Sequence, residues 1–450
     1  MTASRDGVNL CEPNKDSSRH ALDPGACREL KPQFGDIALV PMSVNPNSTS
    51  CDPTEPPSNV AHLEFMRRVP VSEFESLELT PLQLLIMQGT SFCNIDCTYC
   101  YLPNRQVAKR MSTETVDAVC ADLMTAPFVG EQFTMAWHAG EPLVAGVPFY
   151  RHAVESAKRL EHRNCRVSHS IQTNATLVND EWCDFFREAD IRLGVSLDGP
   201  AFIHDRYRKT RGGNGTHARV LRGVERLRRH GIDFHVICVL TRDSLDYPDE
   251  IFRFFASSGV TRVGFNIDET EGIHEVSSMN EPRVGEAFRV FLTRFYELAA
   301  SGGMEVREFE LLRRVIRSGR FHKVNRQCLP FSILSVGTDG NVSAFSPELL
   351  STRHARYDHF VFGNIHQQSF MSMLDSVHFR RVHNEIRAGV QRCRDSCEYF
   401  ALCGGGAPSN KAFENGTFDS TETTTCRLTK QAVIDVVLSS IEQELGIPTN

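Results

Sequence analysis

The chain has 450 residues, of which 41% are hydrophobic and 23% charged, a globular composition too long for one simple core, so a large domain plus a smaller one is expected. A net charge of -7 argues against broad electrostatic attachment to nucleic acid or to an acidic membrane, and small or peptide substrates fit better. No apolar run reaches the ~18 residues of a membrane-spanning helix and the first residues lack the apolar core of an export signal, so a cytoplasmic location is expected.

The fifteen cysteines are many for a chain without an export signal, because cytosolic thiols stay reduced and rarely form structural bridges. Metal or redox use is the leading explanation. Three of them fall between Cys93 and Cys100 and four between Cys393 and Cys426. Cys120, Cys165, Cys183 and Cys238 sit in apolar-periodic segments, where free cysteine acts as a small buried hydrophobe.

In chain order, residues 1–75 are rich in Ser, Pro, Asn and charge without a sustained period, which reads as a disordered or weakly ordered extension, with Phe34 to Met42 as one candidate strand. From Pro81, short apolar runs alternate with amphipathic segments about every 30 residues, the rhythm of βα units on a parallel sheet. The strand candidates are Leu84 to Gln88, Gln132 to Trp137, Arg166 to Ile171, Ile191 to Ser196, Phe234 to Leu240 and Arg262 to Asn266. Helices are expected from Ser112, a plausible N-cap, to Thr125, from Val147 to Leu160 and from His217 to His230. Six parallel strands make an incomplete barrel, and parallel barrels place their chemistry at the carboxyl ends of the strands. The expected class is therefore α/β, with a partial (β/α)6 barrel over residues 76–305. Helices follow over Glu281 to Ala300 and Glu308 to Arg317. Residues 306–427 then carry short strands, turns such as Thr338-Asp339-Gly340-Asn341 and the run Gly404 to Gly406, the texture of a small cysteine-tethered domain. Residues 428–450 hold a last amphipathic helix, Leu428 to Leu445, and the tail.

Cys93-x3-Cys97-x2-Cys100 puts three thiolates on one loop just after the first strand. A four-iron cube takes a ligand at each iron, so three thiolates leave one iron open, and an open coordination site distinguishes a catalytic metal centre from a closed one. This loop resembles the defining motif of radical S-adenosylmethionine (SAM) enzymes. The resemblance implies a 4Fe-4S cluster whose open iron chelates SAM, and one-electron cleavage of SAM to a 5'-deoxyadenosyl radical. It extends to further strand ends. Tyr99 matches the aromatic position beside the adenine, and His138-Ala139-Gly140-Glu141-Pro142 is similar to the family's GGEP segment for the SAM amino group, with Ala139 in place of the first glycine. Gln172 and Asn174 end the third strand and Ser196 and Asp198 the fourth, both similar to SAM-pocket positions. Arg208 matches an arginine facing the SAM carboxylate, for which a guanidinium fork is suited.

Cys393-x3-Cys397-x5-Cys403 with Cys426 offers four thiolates, enough to close a second cluster or, equally, a zinc site. The set resembles the SPASM domain of radical SAM peptide- and protein-modifying enzymes, which often carries seven cysteines and two auxiliary clusters. Cys328 matches the first of them. Phe345 and Ala407 stand where two further cysteines of one cluster are expected, so the resemblance implies one auxiliary 4Fe-4S cluster, ligated by Cys393, Cys397, Cys403 and Cys426. Cys328 is then an orphan, a core thiol or a hydrogen donor near the substrate.

Thr90-Ser91-Phe92-Cys93, Trp137 to Leu143, Ser343 to Glu348 and Tyr399 to Pro408 resemble the GrrM/OscB type of radical SAM/SPASM maturase over roughly residues 78–440. This implies a precursor peptide as substrate, a reductant such as flavodoxin or ferredoxin, and cross-linking of an aromatic ring carbon to a side-chain β-carbon. The alternatives are anaerobic sulfatase maturation (formylglycine formation), peptide epimerisation and a non-catalytic scaffold. Sulfatase-maturating enzymes carry an Asp base directly after the cysteine that Phe345 replaces, and Ser346 occupies that place here. Glu269, Glu348 and Asp268 are candidate bases, each with a turn or cap role as the alternative. Arg219, Arg222, Arg226 and Arg229 recur at helical spacing opposite Val220, Leu221, Val224 and Leu227, which reads as a solvated basic face of an outer helix.

Overall fold

The computed structural model describes residues 79–319, 321 and 324–446. The expected N-terminal extension and the candidate strand from Phe34 to Met42 lie outside the described residues.

The first half of the described chain runs β1 (Leu84–Met87), β2 (Ile95–Cys97), α1 (Thr113–Leu123), β3 (Gln132–Trp137), α2 (Val147–Lys158), β4 (Arg166–Thr173), α3 (Asp180–Glu188) and β5 (Arg192–Ser196). It continues through α4 (Ala201–Tyr207), β6 (Arg208–Thr210), α5 (His217–Arg229), β7 (Phe234–Leu240), α6 (Pro248–Ser257), β8 (Arg262–Ile267), α7 (Val284–Gly302), β9 (Glu305–Val306) and α8 (Arg307–Ser318). The remainder holds β10 (Ile333–Val336), β11 (Asn341–Ala344), β12 (Arg353–His354), β13 (Asp358–His359), β14 (Gly363–Asn364), α9 (Val377–Ser396), α10 (Phe400–Cys403), α11 (Pro408–Asn415), α12 (Thr424–Cys426) and α13 (Val433–Glu444).

All six expected barrel strands are present, and they pair in parallel in the order β1-β3-β4-β5-β7-β8. Their residues show why. In β7, Phe234, Val236, Cys238 and Leu240 are buried while His235, Ile237 and Val239 are partly open. That alternation gives the strand one buried face and one partly open face. The helix side is apolar: Trp182, Phe185 and Phe186 of α3 and Val220, Val224 and Leu227 of α5 all join the core. Each such phenylalanine buried contributes about 1.5–3 kcal/mol relative to exposure. On the other face β5 is closely flanked. Gly194 lies between Gln172 and His235 in register, and a Cβ there would collide with the Gln172 amide.

Two of the barrel helices start at side-chain caps. Ser112 accepts from Thr115 N at 3.3 Å ahead of α1, and Asn179 accepts from Trp182 N at 2.9 Å ahead of α3. The basic face of α5 is as expected, with Arg226 reaching Asp180 of α3 at 3.3 Å. Cys120, Cys165, Cys183 and Cys238 are buried free thiols.

Several elements differ from expectation. The helix expected from Glu281 starts at Val284, after Arg283 adopts a left-handed φ of 64°. The last helix begins with a π-helical stretch, Arg427–Ala432, before α13, a one-residue insertion that hydrophobic spacing does not reveal. The twenty-residue α9 was not anticipated. The short strands after Cys328 also do not stand apart. β10 pairs in parallel with all of β1, from Leu84 with Ile333 to Met87 with Val336, and β11 and β14 extend the same sheet. This pairing is decided across some 250 residues of chain, beyond the reach of local patterning. Among the described residues no helix is long and apolar enough to cross a membrane.

Candidate functional site

The loop after β1 carries Cys93, Cys97 and Cys100, and a small antiparallel pair holds it. β2 pairs with β6 so that Cys97 lies directly opposite Arg208. Cys93 N donates to Arg105 O at 2.9 Å, and Arg211 Nη2 donates to Cys93 O at 2.6 Å. A second loop braces the first. Glu141 N donates to Phe92 O at 2.8 Å. Gly140 has φ of 73°, and a Cβ on it would lie 2.8 Å from Phe92 O and collide with Thr90 O, so only glycine passes there. Ala139, in the place of the family glycine, has φ of 70°, a left-handed conformation that an alanine holds only under strain.

Burial pushes the Cys93 and Cys97 thiols up to about 12; the Cys100 charge adds to the effect on both, and the Cys93 charge to that on Cys97. Thiols packed this deeply and this close to each other suit metal ligation, where the metal displaces the proton. Polar donors face the sulfurs. Asn174 Nδ2 is 3.9 Å from Cys93 Sγ and donates to Asn94 Oδ1 at 2.8 Å, and Arg208 Nη1 is 3.9 Å from Cys97 Sγ.

Tyr99, Asp198 and Arg208 form one unit. Asp198 Oδ2 accepts from Tyr99 Oη at 2.5 Å and from Arg208 Nε at 2.8 Å, and its Oδ1 accepts from Val239 N at 2.9 Å. The guanidinium carbon lies 5.4 Å from the centre of the Tyr99 ring. The pair is sealed, with the Arg208 and Asp198 side chains 8% and 2% exposed. The structure thus commits Arg208 Nε to Asp198. Gln172 donates to Ser196 Oγ at 3.0 Å on the next strand ends.

Glu141 turns inward. Its carboxylate accepts from Leu143 N at 3.0 Å, Thr173 Oγ1 at 2.6 Å and Asn174 N at 2.8 Å. Burial raises it to about 7 against those three hydrogen bonds. It clamps the Gly140-Glu141-Pro142 turn to the end of β4, while Pro142 O accepts from Tyr150 Oη at 2.8 Å.

A second group of side chains gathers around Tyr101, whose hydroxyl is 3.5 Å from His138 Nε2. Burial holds the Tyr101 phenol well above its ordinary value, with Glu348, Glu271, Cys100 and Glu269 adding to the effect. Asn410 of α11 donates to Glu269 Oε2 at 2.7 Å and to Glu271 Oε1 at 3.0 Å. Burial raises Glu269 to about 7, and it raises Glu271 and Glu348 as well. Glu348 Oε2 is buried without a hydrogen-bond partner. Sequence reasoning proposed Glu269 and Glu348 and missed Glu271. The available signal was Asp268-Glu269-Thr270-Glu271 directly after the last barrel strand. Asp268 has the staple role instead, holding His274 Nε2 at 2.7 Å and Ser278 N at 2.8 Å.

The other cysteines come from helix ends. Cys393 lies in the last turn of α9, Cys397 caps that helix, Cys403 ends α10 and Cys426 ends α12. All four line one cavity with Gly405 and Gly406. Phe345 is fully buried, with its ring parallel-stacked on Phe379 at 5.4 Å and on His383 at 6.0 Å, so an aromatic core occupies the place of a cysteine. Ala407 sits at the start of α11. Cys328 is 4% exposed and donates to Gly406 O at 3.4 Å, and burial pushes its thiol up to about 12. Among the described residues no three His, Cys, Asp or Glu side chains converge on the position of a single ion.

Three thiols on a loop that follows the first strand of a parallel sheet, with polar strand ends beside them, are the arrangement expected of a radical SAM centre. The Radical SAM superfamily matches residues 87–255, and the chain belongs to this superfamily of enzymes, whose cofactors are SAM and a 4Fe-4S cluster. More particularly, it is 43% identical over 390 residues to the uncharacterized protein sll1766 of Synechocystis, covering 85% of this chain and 97% of that one. It is 26% identical to the serine-type anaerobic sulfatase-maturating enzyme of Bacteroides thetaiotaomicron, covering 74% of this chain and 83% of the relative. The fold matches anSMEcpe with bound AdoMet and the Cp18Cys peptide, at TM-score 0.66 and 22% identity over 81% of this chain and 99% of that one. It also matches Streptococcus suis SuiB bound to precursor peptide SuiA, at TM-score 0.55 and 12% identity over 86% and 84%.

Proposed function

We propose that this chain modifies a ribosomally made precursor peptide by joining an aromatic ring carbon to a side-chain β-carbon, with flavodoxin or ferredoxin as the electron source. SAM and the cluster, bound at Cys93, Cys97 and Cys100, would supply a carbon radical able to remove a hydrogen atom from an unactivated C–H bond. The chain's own residues do the rest. Tyr99, Gly140, Glu141, Pro142, Gln172, Asn174, Ser196, Asp198 and Arg208 frame the SAM pocket, some by contact and some, such as Glu141 and Asp198, by holding the pocket's loops. Glu269, Glu271 and Glu348 offer proton acceptors next to Tyr101 and His138, and a carboxylate raised toward neutrality suits proton removal near pH 7.

Cys393, Cys397, Cys403 and Cys426 would hold one auxiliary 4Fe-4S cluster, which would take up the electron left when the ring gives up its proton, in a SPASM-like region proposed as residues 306–427, whose strands β10, β11 and β14 continue the sheet of the barrel proposed over residues 76–305. A four-cysteine zinc site needs sulfurs that converge on one ion, with Zn–S bonds of about 2.3 Å. Iron and sulfide analysis of the protein distinguishes such a zinc site from the cluster.

The observation that carries the reading is the pair Phe345 and Ser346. Phe345 fills the position of a second cluster's ligand with packed aromatic core. Ser346, in the place of the sulfatase maturases' Asp base, is fully buried and accepts from Ser409 N at 3.3 Å. A hydroxyl so placed is a poor base at neutral pH. Sulfatase maturation, suggested by the 26% identical relative, is therefore the second reading.

The test is to incubate the reconstituted protein with SAM, reductant and the peptide encoded beside its gene. The expected product has lost two hydrogens, resists fragmentation between the bridged residues and does not react with a hydrazide. An aldehyde-reactive product, or an unchanged mass that takes up deuterium from solvent, overturns the proposal in favour of formylglycine formation or epimerisation.

A further inference from the structure

Lys411 is 4% exposed, a depth at which lysine is found only when its ammonium has partners. The side chain comes from α11 and reaches the last turns of α9, where Nζ donates to Gly389 O at 2.9 Å and lies 3.2 Å from Cys393 Sγ. Its charge also acts on Cys328 and on Asp419. Asp419 is already engaged by two hydrogen bonds from Arg392, at 2.6 and 3.2 Å. The anion within direct reach of the ammonium is thus the Cys393 sulfur once it ligates metal. A structural role would need only the carbonyl contact.

We propose that Lys411 sets the reduction potential of the cluster held by Cys393, Cys397, Cys403 and Cys426. This rests on the assignment of those four thiols as cluster ligands under the proposed function. A positive charge and an N–H···S hydrogen bond on one ligand sulfur both stabilise the extra electron of the reduced state, and burial leaves that charge poorly screened. The potential rises, and the site becomes a better electron acceptor. No bond is made or broken; Lys411 is a positioning residue that biases a one-electron equilibrium.

The test uses the full chain with Cys93, Cys97 and Cys100 replaced by alanine, so that only the second site loads. Its midpoint is read from the electron paramagnetic resonance signal of the reduced cluster in a redox titration. At the potential where this parent is half reduced, K411M is expected to lower the reduced-to-oxidised ratio at least tenfold, a shift of about 59 mV for one electron. K411Q, which keeps an N–H donor without the charge, is expected to lower it less, and K411R to hold it within threefold. An unchanged ratio in K411Q and K411M in iron-loaded protein overturns the role of Lys411 alone. If K411M fails to load, K411Q decides. A parent that binds no iron overturns the ligand assignment and this inference together.

Discussion

The two proposed cysteine sites offer the same ligand atom and are built in opposite ways. At the first, three thiols stand on one loop, pinned by the β2–β6 pair and by the Gly140 turn, and polar strand ends lie beside them. At the second, four thiols come from the ends of three helices that are brought together only by packing, and glycines and a buried lysine close around them. The difference teaches what each job requires. A short loop can hold three corners of a cluster and leave the fourth to a ligand, whereas holding all four requires segments distant in sequence to converge.

The contrast can be broken most forcefully at the ligands. Cys97→Ala is expected to bring SAM cleavage to background, measured as 5'-deoxyadenosine, while iron remains at the second site. Cys403→Ala is expected to remove iron from the second site and leave peptide-independent cleavage measurable. Equal loss of cleavage in both would erase the distinction between an open and a closed site.

A smaller effect compares the ion pairs beside each site. Asp198→Ala strands the Arg208 charge in a sealed pocket and is expected to cost about 3–5 kcal/mol. Arg392→Ala breaks a pair with Asp419 whose partners are 61% and 32% exposed, and is expected to cost under about 1 kcal/mol. Denaturation midpoints of the two variants check the ranking, and similar losses would mean that the Asp198 pair is not the buried keystone its geometry indicates.

The smallest effect concerns the backbone. Ala139→Gly removes left-handed strain at the first site and is expected to stabilise by up to about 1 kcal/mol. Gly405→Ala adds such strain at the second, where φ is 105° and a Cβ would sit 3.0 Å from Val390 Cγ2, and is expected to destabilise by about 1–2 kcal/mol. Chemical denaturation reads both signs, and a destabilised Ala139→Gly would show that the residue's own side chain is needed there.

Much of the barrel was legible along the chain. The six strands lie within two residues of their expected ends, because alternating or continuous apolar runs between turn residues are a local signal. The three-cysteine loop was legible for the same reason, since its spacing is a property of eight consecutive residues. That Phe345 and Ala407 stand where two cysteines are expected came from the family resemblance, and only the structure shows Phe345 packed into the aromatic core.

Other features had no local signature. The three-residue strands β2 and β6 are too short to show a period, yet their pairing sets Arg208 opposite Cys97. Glu141 reads as a pocket residue, but the fold turns its carboxylate onto Thr173 and Asn174. Glu271 enters the acidic group only because Gly272 comes close to Tyr101 and because Asn410, some 140 residues later, bridges it to Glu269. Lys411 of α11 reaches Gly389 and Cys393 of α9, a contact that local sequence does not announce. Residue order sets composition, periodicity and the chemistry of neighbouring side chains, whereas burial, hydrogen-bond partner and charge environment depend on segments far apart in the chain, and these exist only once the sheet and helices have packed.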